Sequence, residues 1–333
     1  MTRLAVAAEG VAFRYERTRR RARSDSRRRS PASGDAHGHR PGINGLDLAV
    51  RAGEIVGLLG PNGGGKSTLL RLLATALRPQ AGTLLLLGMR TRAPARALRQ
   101  SIGYAADVPV HLDVLSGRHN AVAFARAAGL PRSVATAAVV TLFDRFELTT
   151  DAHRAAGEYS HGMRRKLLLT EALAHVPGLI LLDEPTLGLD PPASAALGEL
   201  LRERAAAGAA VVFATHELDL ASRLCDRVVF MVDGRVALDG RPHELLHAID
   251  PGTRIRIALR TPLAAALQLD GMQLVRAGED VIELRTAAGA AALPDLCATL
   301  VRENVQVRTI ELREPDLRDV FMTVTGRFWS DAS

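Results

Sequence analysis

The chain is poor in cysteine. Cys225 and Cys297 are the only two in 333 residues, too few for a disulfide scaffold or a cysteine-ligated metal, which agrees with a reducing compartment. Long apolar runs are missing too. The longest, 205–214, is interrupted by Gly208 and falls short of the ~18 residues that a membrane-spanning helix requires. The first nine residues lack the basic-then-apolar layout of a secretory signal. The expectation is therefore a cytosolic chain that does not cross the bilayer. Aromatic residues are only 4%, so each has to be weighed singly. Lysine is nearly absent: Lys66 and Lys166 are the only lysines among 43 basic residues. Where arginine has replaced lysine almost everywhere, a surviving lysine is expected where a compact ammonium is required rather than a planar fork, and Lys66 is such a place.

What is present points to a folded, two-part protein. Hydrophobic residues make up 47% and charged ones 24%, ordinary globular usage over a length that allows two cores. The net charge of +7 suggests a nucleic-acid partner until it is located. Between Arg14 and Arg40 stand ten arginines against Glu16, Asp25 and Asp35, which accounts for the whole excess. A general affinity for polyanions does not follow. The segment 16–42 is rich in Arg, Ser, Pro and Gly and cannot bury anything, so it reads as a disordered insertion. Attraction of its arginines to anionic lipid is the sharper alternative.

Along the chain, 11–15 alternates as a strand, 46–50 resumes strand character, 54–59 is a short apolar run and 67–77 has helical spacing. From about 105 to 174 the pattern is helical, with a break at Gly129-Leu130-Pro131. Residues 179–182, 211–215 and 228–232 are apolar strands, and this alternation argues a mainly parallel sheet covered on both faces. After residue 248 the order is strand 254–259, helix 262–267, strands 272–275 and 281–284, helix 290–302 and strand 305–312, which is a split βαβ sandwich. A short helix, 316–324, follows Pro315.

Gly60-Pro61-Asn62-Gly63-Gly64-Gly65-Lys66-Ser67-Thr68 follows one strand and opens one helix. Its glycines allow successive backbone N–H groups to turn inward around phosphate oxygens, Lys66 can reach the β and γ phosphates, and Ser67 can ligate Mg²⁺. The apolar run 179–182 ends in Asp183-Glu184, one carboxylate for the metal shell and one to polarise a water.

Tyr159-Ser160-His161-Gly162-Met163, then Asp183-Glu184-Pro185-Thr186, Gly188-Leu189-Asp190-Pro191 and Thr215-His216 resemble, in order, the motif series of ATP-binding-cassette ATPases, from Tyr15 to about Leu246. The resemblance implies a phosphate-loop NTPase of α/β class: a RecA-like, mainly parallel sheet core with an N-terminal antiparallel β part, a helical subdomain over about 105–175, and a small C-terminal α+β domain. Domains are expected at 1–247 and 250–333. It further implies ATP and Mg²⁺ as ligands, with the loop from Gly60 to Thr68 on the phosphates and Ser67, Asp183 and Asp107 towards the metal. Glu184 is the implied base, His216 the switch histidine and Tyr15 the ring on adenine. Ser160 and Gly162 are implied to bind the γ-phosphate held by a second copy, head to tail, with Asp190 linking the two sites. Core packing is the plain reading of Tyr15, and a helix N-cap that of Ser160.

Two departures stand out. Where the family has a glutamine after residues like Ile102-Gly103-Tyr104, this chain has Asp107, expected to keep a coupling role with altered metal affinity. His161 replaces the first glycine of the common signature. Ser116-Gly117-Arg118-His119-Asn120 and Glu314-Pro315-Asp316-Leu317-Arg318-Asp319-Val320-Phe321 look like bacterial exporters of the daunorubicin-resistance type. Such subunits act as homodimers, peripheral at the membrane, on a separately encoded permease, and no nucleic acid is expected. The rival is a soluble cassette ATPase on ribosomes or DNA. A single motif set, with no room for long coiled coils between Thr68 and Leu179, speaks against it.

Overall fold

The computed structural model describes residues 3–15, 42–91, 96–108, 110–249, 252–260, 271–278 and 280–325. The arginine-rich segment up to residue 41 and the helix expected over 262–267 lie outside them. The chain divides into two compact units, one ending at Asp239 and the other beginning at Gly240.

In the first unit, β1 (Leu4–Phe13), β2 (Ile43–Arg51), β3 (Ile55–Leu59), α1 (Lys66–Leu73), β4 (Ala81–Leu86), β5 (Met89–Arg90), α2 (Arg96–Gln100) and β6 (Ile102–Ala105) come first. They are followed by α3 (Gly117–Ala127), α4 (Arg132–Arg145), α5 (His161–Leu173), β7 (Leu179–Asp183), α6 (Pro191–Ala206), β8 (Ala210–Ala214), α7 (Leu218–Leu224), β9 (Arg227–Val232) and β10 (Arg235–Gly240). Strands β2-β1-β4-β5 make an antiparallel sheet. Strands β10-β9-β3-β8-β7-β6 make the second, in which β9, β3, β8, β7 and β6 run parallel. Every residue of β3, β7 and β8 is buried, as strands covered on both faces must be, which is why each reads as a short unbroken apolar run. Helix α1 inserts Leu69, Leu70, Leu72 and Leu73 into a core shared by both sheets. It is shorter than its apolar spacing suggests, because Thr75 turns to φ +58°.

The expected helical stretch resolves into α3, α4 and α5. Gly129, at φ +105°, breaks α3 from α4, and Ser116 caps α3 by accepting from the His119 N–H. Among the described residues no helix is long and apolar enough to cross a membrane.

The second unit holds α8 (Pro242–Ile249), β11 (Thr253–Leu259), β12 (Met272–Ala277), β13 (Val281–Thr286), α9 (Leu293–Arg302), β14 (Val307–Arg313) and α10 (Leu317–Thr325). Its sheet, β12-β13-β11-β14, is wholly antiparallel, the strand order of a split βαβ sandwich. Leu296 and Leu300 of α9 cover Ile255, Ile257, Ile282 and Leu284. Helix α8, placed with the first domain by its sequence position, belongs with this unit because it packs on α10.

Candidate active site

The parallel sheet brings four loop ends to one level. Register pairs Leu58 with Ala214, Ala214 with Asp183, and Leu182 with Ala105. Gly60, Glu184, Thr215 and Ala106 therefore leave β3, β7, β8 and β6 side by side, at the carboxyl ends where such sheets bind ligands.

After β3 the chain can only continue as glycine. A Cβ on Gly60, at φ +138°, would lie 2.1 Å from the Met231 carbonyl oxygen, and one on Gly64 would lie 2.7 Å from the same atom. Gly65 precedes α1 at φ +103° with no side-chain cap, so the first N–H groups of α1 are available to an anion. Asn62 and Gly63 form the exposed rim. The buried Lys66 ammonium donates to the carbonyls of Gly60 at 2.6 Å and Pro61 at 3.0 Å. Burial lowers its pKa to about 8, opposed by the charges of Glu184 and Asp183.

Asp183, 3% exposed, is raised by burial and held down by a hydrogen bond from Ser67. Glu184 follows in the left-handed region, at φ +48°, which swings its carboxylate towards β8. There Oε2 accepts from the His216 main-chain N–H at 3.2 Å, and Oε1 lies 3.3 Å from His216 Nε2. Burial pushes the Glu184 carboxyl up to about 7, and burial lowers His216. A carboxylate poised near neutrality beside a neutral imidazole suits a general base. These groups surround one cavity of about 340 Å³, lined by the loop from Asn62 to Thr68 with Asp107, Asp183, Glu184, Leu187 and His216.

Other expected residues sit elsewhere. Tyr15 is half-buried beside the loop, its hydroxyl 3.4 Å from Thr68 Oγ1 and accepting from Arg71 at 3.4 Å, with its ring edge-on to Phe13. Ser160 caps α5, accepting from the Met163 N–H at 3.2 Å. His161 lies against Gly188: a Cβ there, at φ +80°, would meet the imidazole at 2.5 Å. A Cβ on Gly162 would meet the Gly188 carbonyl oxygen at 2.8 Å. Asp190 caps α6, accepting from the Ala193 N–H at 2.8 Å, and binds Lys166 Nζ at 2.8 Å. Tyr15, Ser160, Gly162 and Asp190 do not line the cavity.

Three contacts around this site went unread in the sequence. Lys166 was legible, since the scarcity of lysine that singles out Lys66 applies to it equally. Arg165, 5% exposed, donates to main-chain carbonyls of Ala106, Asp183, Glu184 and Pro185, but an arginine on a helix reads as solvated. Thr186 Oγ1 donates to Glu217 at 2.6 Å, a pairing no local spacing signals.

The donors suit magnesium. Among the described residues no cluster of three or more His, Cys, Asp or Glu could cage an ion. The Ser67 hydroxyl and the carboxylates of Asp183 and Asp107 offer hard oxygens lining one cavity, which matches a cation shared between a few protein oxygens and substrate phosphates.

A glycine loop between a buried strand and a helix, facing paired carboxylates at the tip of the next strand but one, defines a phosphate-loop nucleotide hydrolase. The ABC transporter family profile matches residues 43–187. The chain is 33% identical over 305 residues to the daunorubicin resistance ATP-binding protein DrrA2 of Streptomyces coeruleorubidus, covering 90% of this chain and 94% of that protein. It is 35% identical over 289 residues to the Nod factor export ATP-binding protein I of Burkholderia orbicola, covering 87% and 93%. A solved ATP-binding subunit of an ABC transporter superposes with a TM-score of 0.62 at 26% identity, covering 74% of this chain and 93% of that one. The ATP-binding cassette MJ0796, a dimer bound to ADP and Pi, shares the fold with a TM-score of 0.59 at 22% identity, covering 71% and 98%. The chain belongs to the ATP-binding-cassette family of transporter ATPases. It is an ATP-binding and ATP-hydrolysing subunit.

Proposed function

We propose that this chain is the peripheral, cytoplasmic-side ATPase of an exporter, and that it drives a separately encoded membrane permease by closing head to tail on ATP as a homodimer. One observation carries the hydrolytic part: the Glu184 carboxylate, aimed at His216, shares a single cavity with Lys66, Ser67 and Asp183. The amides from Gly60 to Thr68 and the Lys66 ammonium hold the phosphates, and Tyr15 meets the adenine. Ser67 and Asp183, with Asp107 at the rim, would hold Mg²⁺. When bound, that ion neutralises charge on the transferring phosphoryl oxygens. Glu184 takes a proton from the attacking water, and His216, neutral at physiological pH, donates a hydrogen bond towards the γ-phosphate.

The dimer is supported by what the cavity leaves out. Ser160 and Gly162 stand at the N-terminus of α5, a positive helix end, with no phosphate-binding partner of their own. A second copy, related by a two-fold axis, supplies Ser160 and Gly162 to this cavity and receives the same in return. Asp190 stands two residues after Gly188, against which His161 and Gly162 pack, and is bound to Lys166 of the same helix α5. The permease is supported by an exposed apolar strip directly after Asp107: Val108, Val110, Leu112 and Val114 are 59–86% exposed. Such a strip is costly in water and suits an apolar partner surface. The export assignment follows the relatives, which are named for drug resistance and Nod factor export.

Glu184→Gln tests the base. The variant should bind ATP and dimerise on it, yet hydrolyse it at least ~10²-fold more slowly; turnover near the wild-type rate would place the base elsewhere.

A further inference from the structure

Arg165 is buried, and among the described residues no carboxylate lies at hydrogen-bonding distance from it. Among the described residues its guanidinium donates to main-chain carbonyls alone, at the ends of two separate strands, β6 and β7. Nη1 reaches Ala106 at 3.0 Å. Nη2 reaches Asp183 and, at 2.5 Å, Glu184, while Nε reaches Pro185 at 3.4 Å. Taking a cation out of water is expensive, and the charges of Asp107, Asp183 and Glu184 offset only part of that cost, since burial still leaves the guanidinium pKa lowered. Stability alone does not explain the choice.

Geometry does. For the carbonyls of Asp183, Glu184 and Pro185 to converge on one planar fork, the chain must double back at Glu184, and Glu184 is the residue with φ +48°. That left-handed conformation is unfavourable for a non-glycine residue and persists only when its surroundings enforce it. Arg165 supplies the enforcement. The fourth carbonyl, Ala106, precedes Asp107, so the same side chain also fixes the approach to the cavity rim. Arg165 stands five residues after Ser160 on α5, the helix whose N-terminus faces the second copy.

We infer that Arg165 is the positioning residue that ties the aim of Glu184 and the placement of Asp107 to the seating of α5. Seating α5 then permits hydrolysis without being needed for nucleotide binding, which the loop from Gly60 to Thr68 performs with Tyr15. The inference rests on Glu184 being the base. A lysine cannot replace the fork, since one ammonium at the end of a flexible stem does not span two loops.

The test uses the full-length chain with Arg165→Lys, Arg165→Leu, Glu184→Gln and the Arg165→Lys/Glu184→Gln double variant. ATP affinity is read by equilibrium binding, and turnover by single-turnover phosphate release. Arg165→Lys should keep ATP affinity within about 3-fold and lose about 10-fold or more in turnover, an interaction used in the transition state alone. The double variant should be no slower than Glu184→Gln, because both changes act on one group. A side chain that merely holds the fold together would instead lower binding and turnover together and add its loss to that of Glu184→Gln. Wild-type turnover in Arg165→Lys, with Glu184→Gln inactive, overturns the inference and leaves the base in place. Turnover retained by Glu184→Gln overturns both. Should Arg165→Leu fail to fold, Arg165→Lys, which keeps the buried cation, decides the matter.

Discussion

Glu171, in the last turn of α5, is 4% exposed, and neither carboxylate oxygen has a hydrogen-bond partner among the described residues. Burial pushes its pKa up to about 8 from an ordinary 4.5. The folded protein therefore keeps a proton there that the unfolded chain releases above pH 4.5. The folded state binds more protons between those values, so stability falls as pH rises through that window and the loss is complete above about pH 8. Glu171→Gln, which stays neutral, should raise the unfolding temperature by several degrees at pH 8.5 and by little at pH 5. An equal effect at both pH values would show that Glu171 is ionised in the fold. Arg165 and Glu171 share a helix and a lesson about legibility. Each is a charged residue whose sequence context reads as a solvated face, and only the packing of α5 against β6, α3 and α4 reveals that both are enclosed.

At the scale of elements, α3 is tied to the loop before it by one amide. Asn120 is 1% exposed. Its Nδ2 donates to the carbonyls of Leu112, Leu115 and Ser116, and its Oδ1 accepts from the Leu112 N–H at 2.8 Å. This fixes the end of the apolar strip from Val108 to Val114. Asn120→Ala should cost about 2–3 kcal/mol of stability through buried groups left unpaired. It should also reduce the permease's stimulation of ATPase activity while leaving ATP affinity unchanged, as measured by calorimetry and by turnover in reconstituted membranes. The elements themselves were largely legible. Short all-apolar runs ending in glycine or in Asp-Glu could be little other than central parallel strands, and the glycine loop announced the helix after it. What was not legible arose from conformation rather than pattern. Thr75 ends α1 early, although apolar spacing continues through Leu77, and the strand that leads to Tyr15 begins at Leu4 and stops at Phe13. Nothing in the spacing of 242–249 tells whether α8 packs on the first unit or on α10.

For the whole molecule, the decisive question is whether one chain makes a complete site. Cavity residues were legible because they cluster in motifs. Their proposed assembly with a second copy rests on resemblance, since a single chain contains no contact that would show it. Mixing settles it. Lys66→Ala should be inactive for want of a phosphate ligand, and Ser160→Arg for want of the second chain's helix end. Combined, they form mixed dimers in which one site has both intact halves and the other has neither. The mixture should recover turnover, up to about a quarter of the wild-type rate for random pairing. No recovery, with mixed dimers demonstrated by crosslinking, would mean that each chain works alone.

The scarcity of lysine has a chemical consequence. The molecule carries two side-chain amines: Lys166, bound to Asp190, and Lys66, which a pKa of about 8 leaves substantially unprotonated in mildly alkaline buffer. An amine-selective reagent thus has, besides the chain's α-amino group, two side-chain targets, and one of them lies in the nucleotide site. Mass spectrometry of the modified Lys66 peptide should show labelling that falls as ATP is added, so that a general reagent becomes an occupancy gauge for this one pocket.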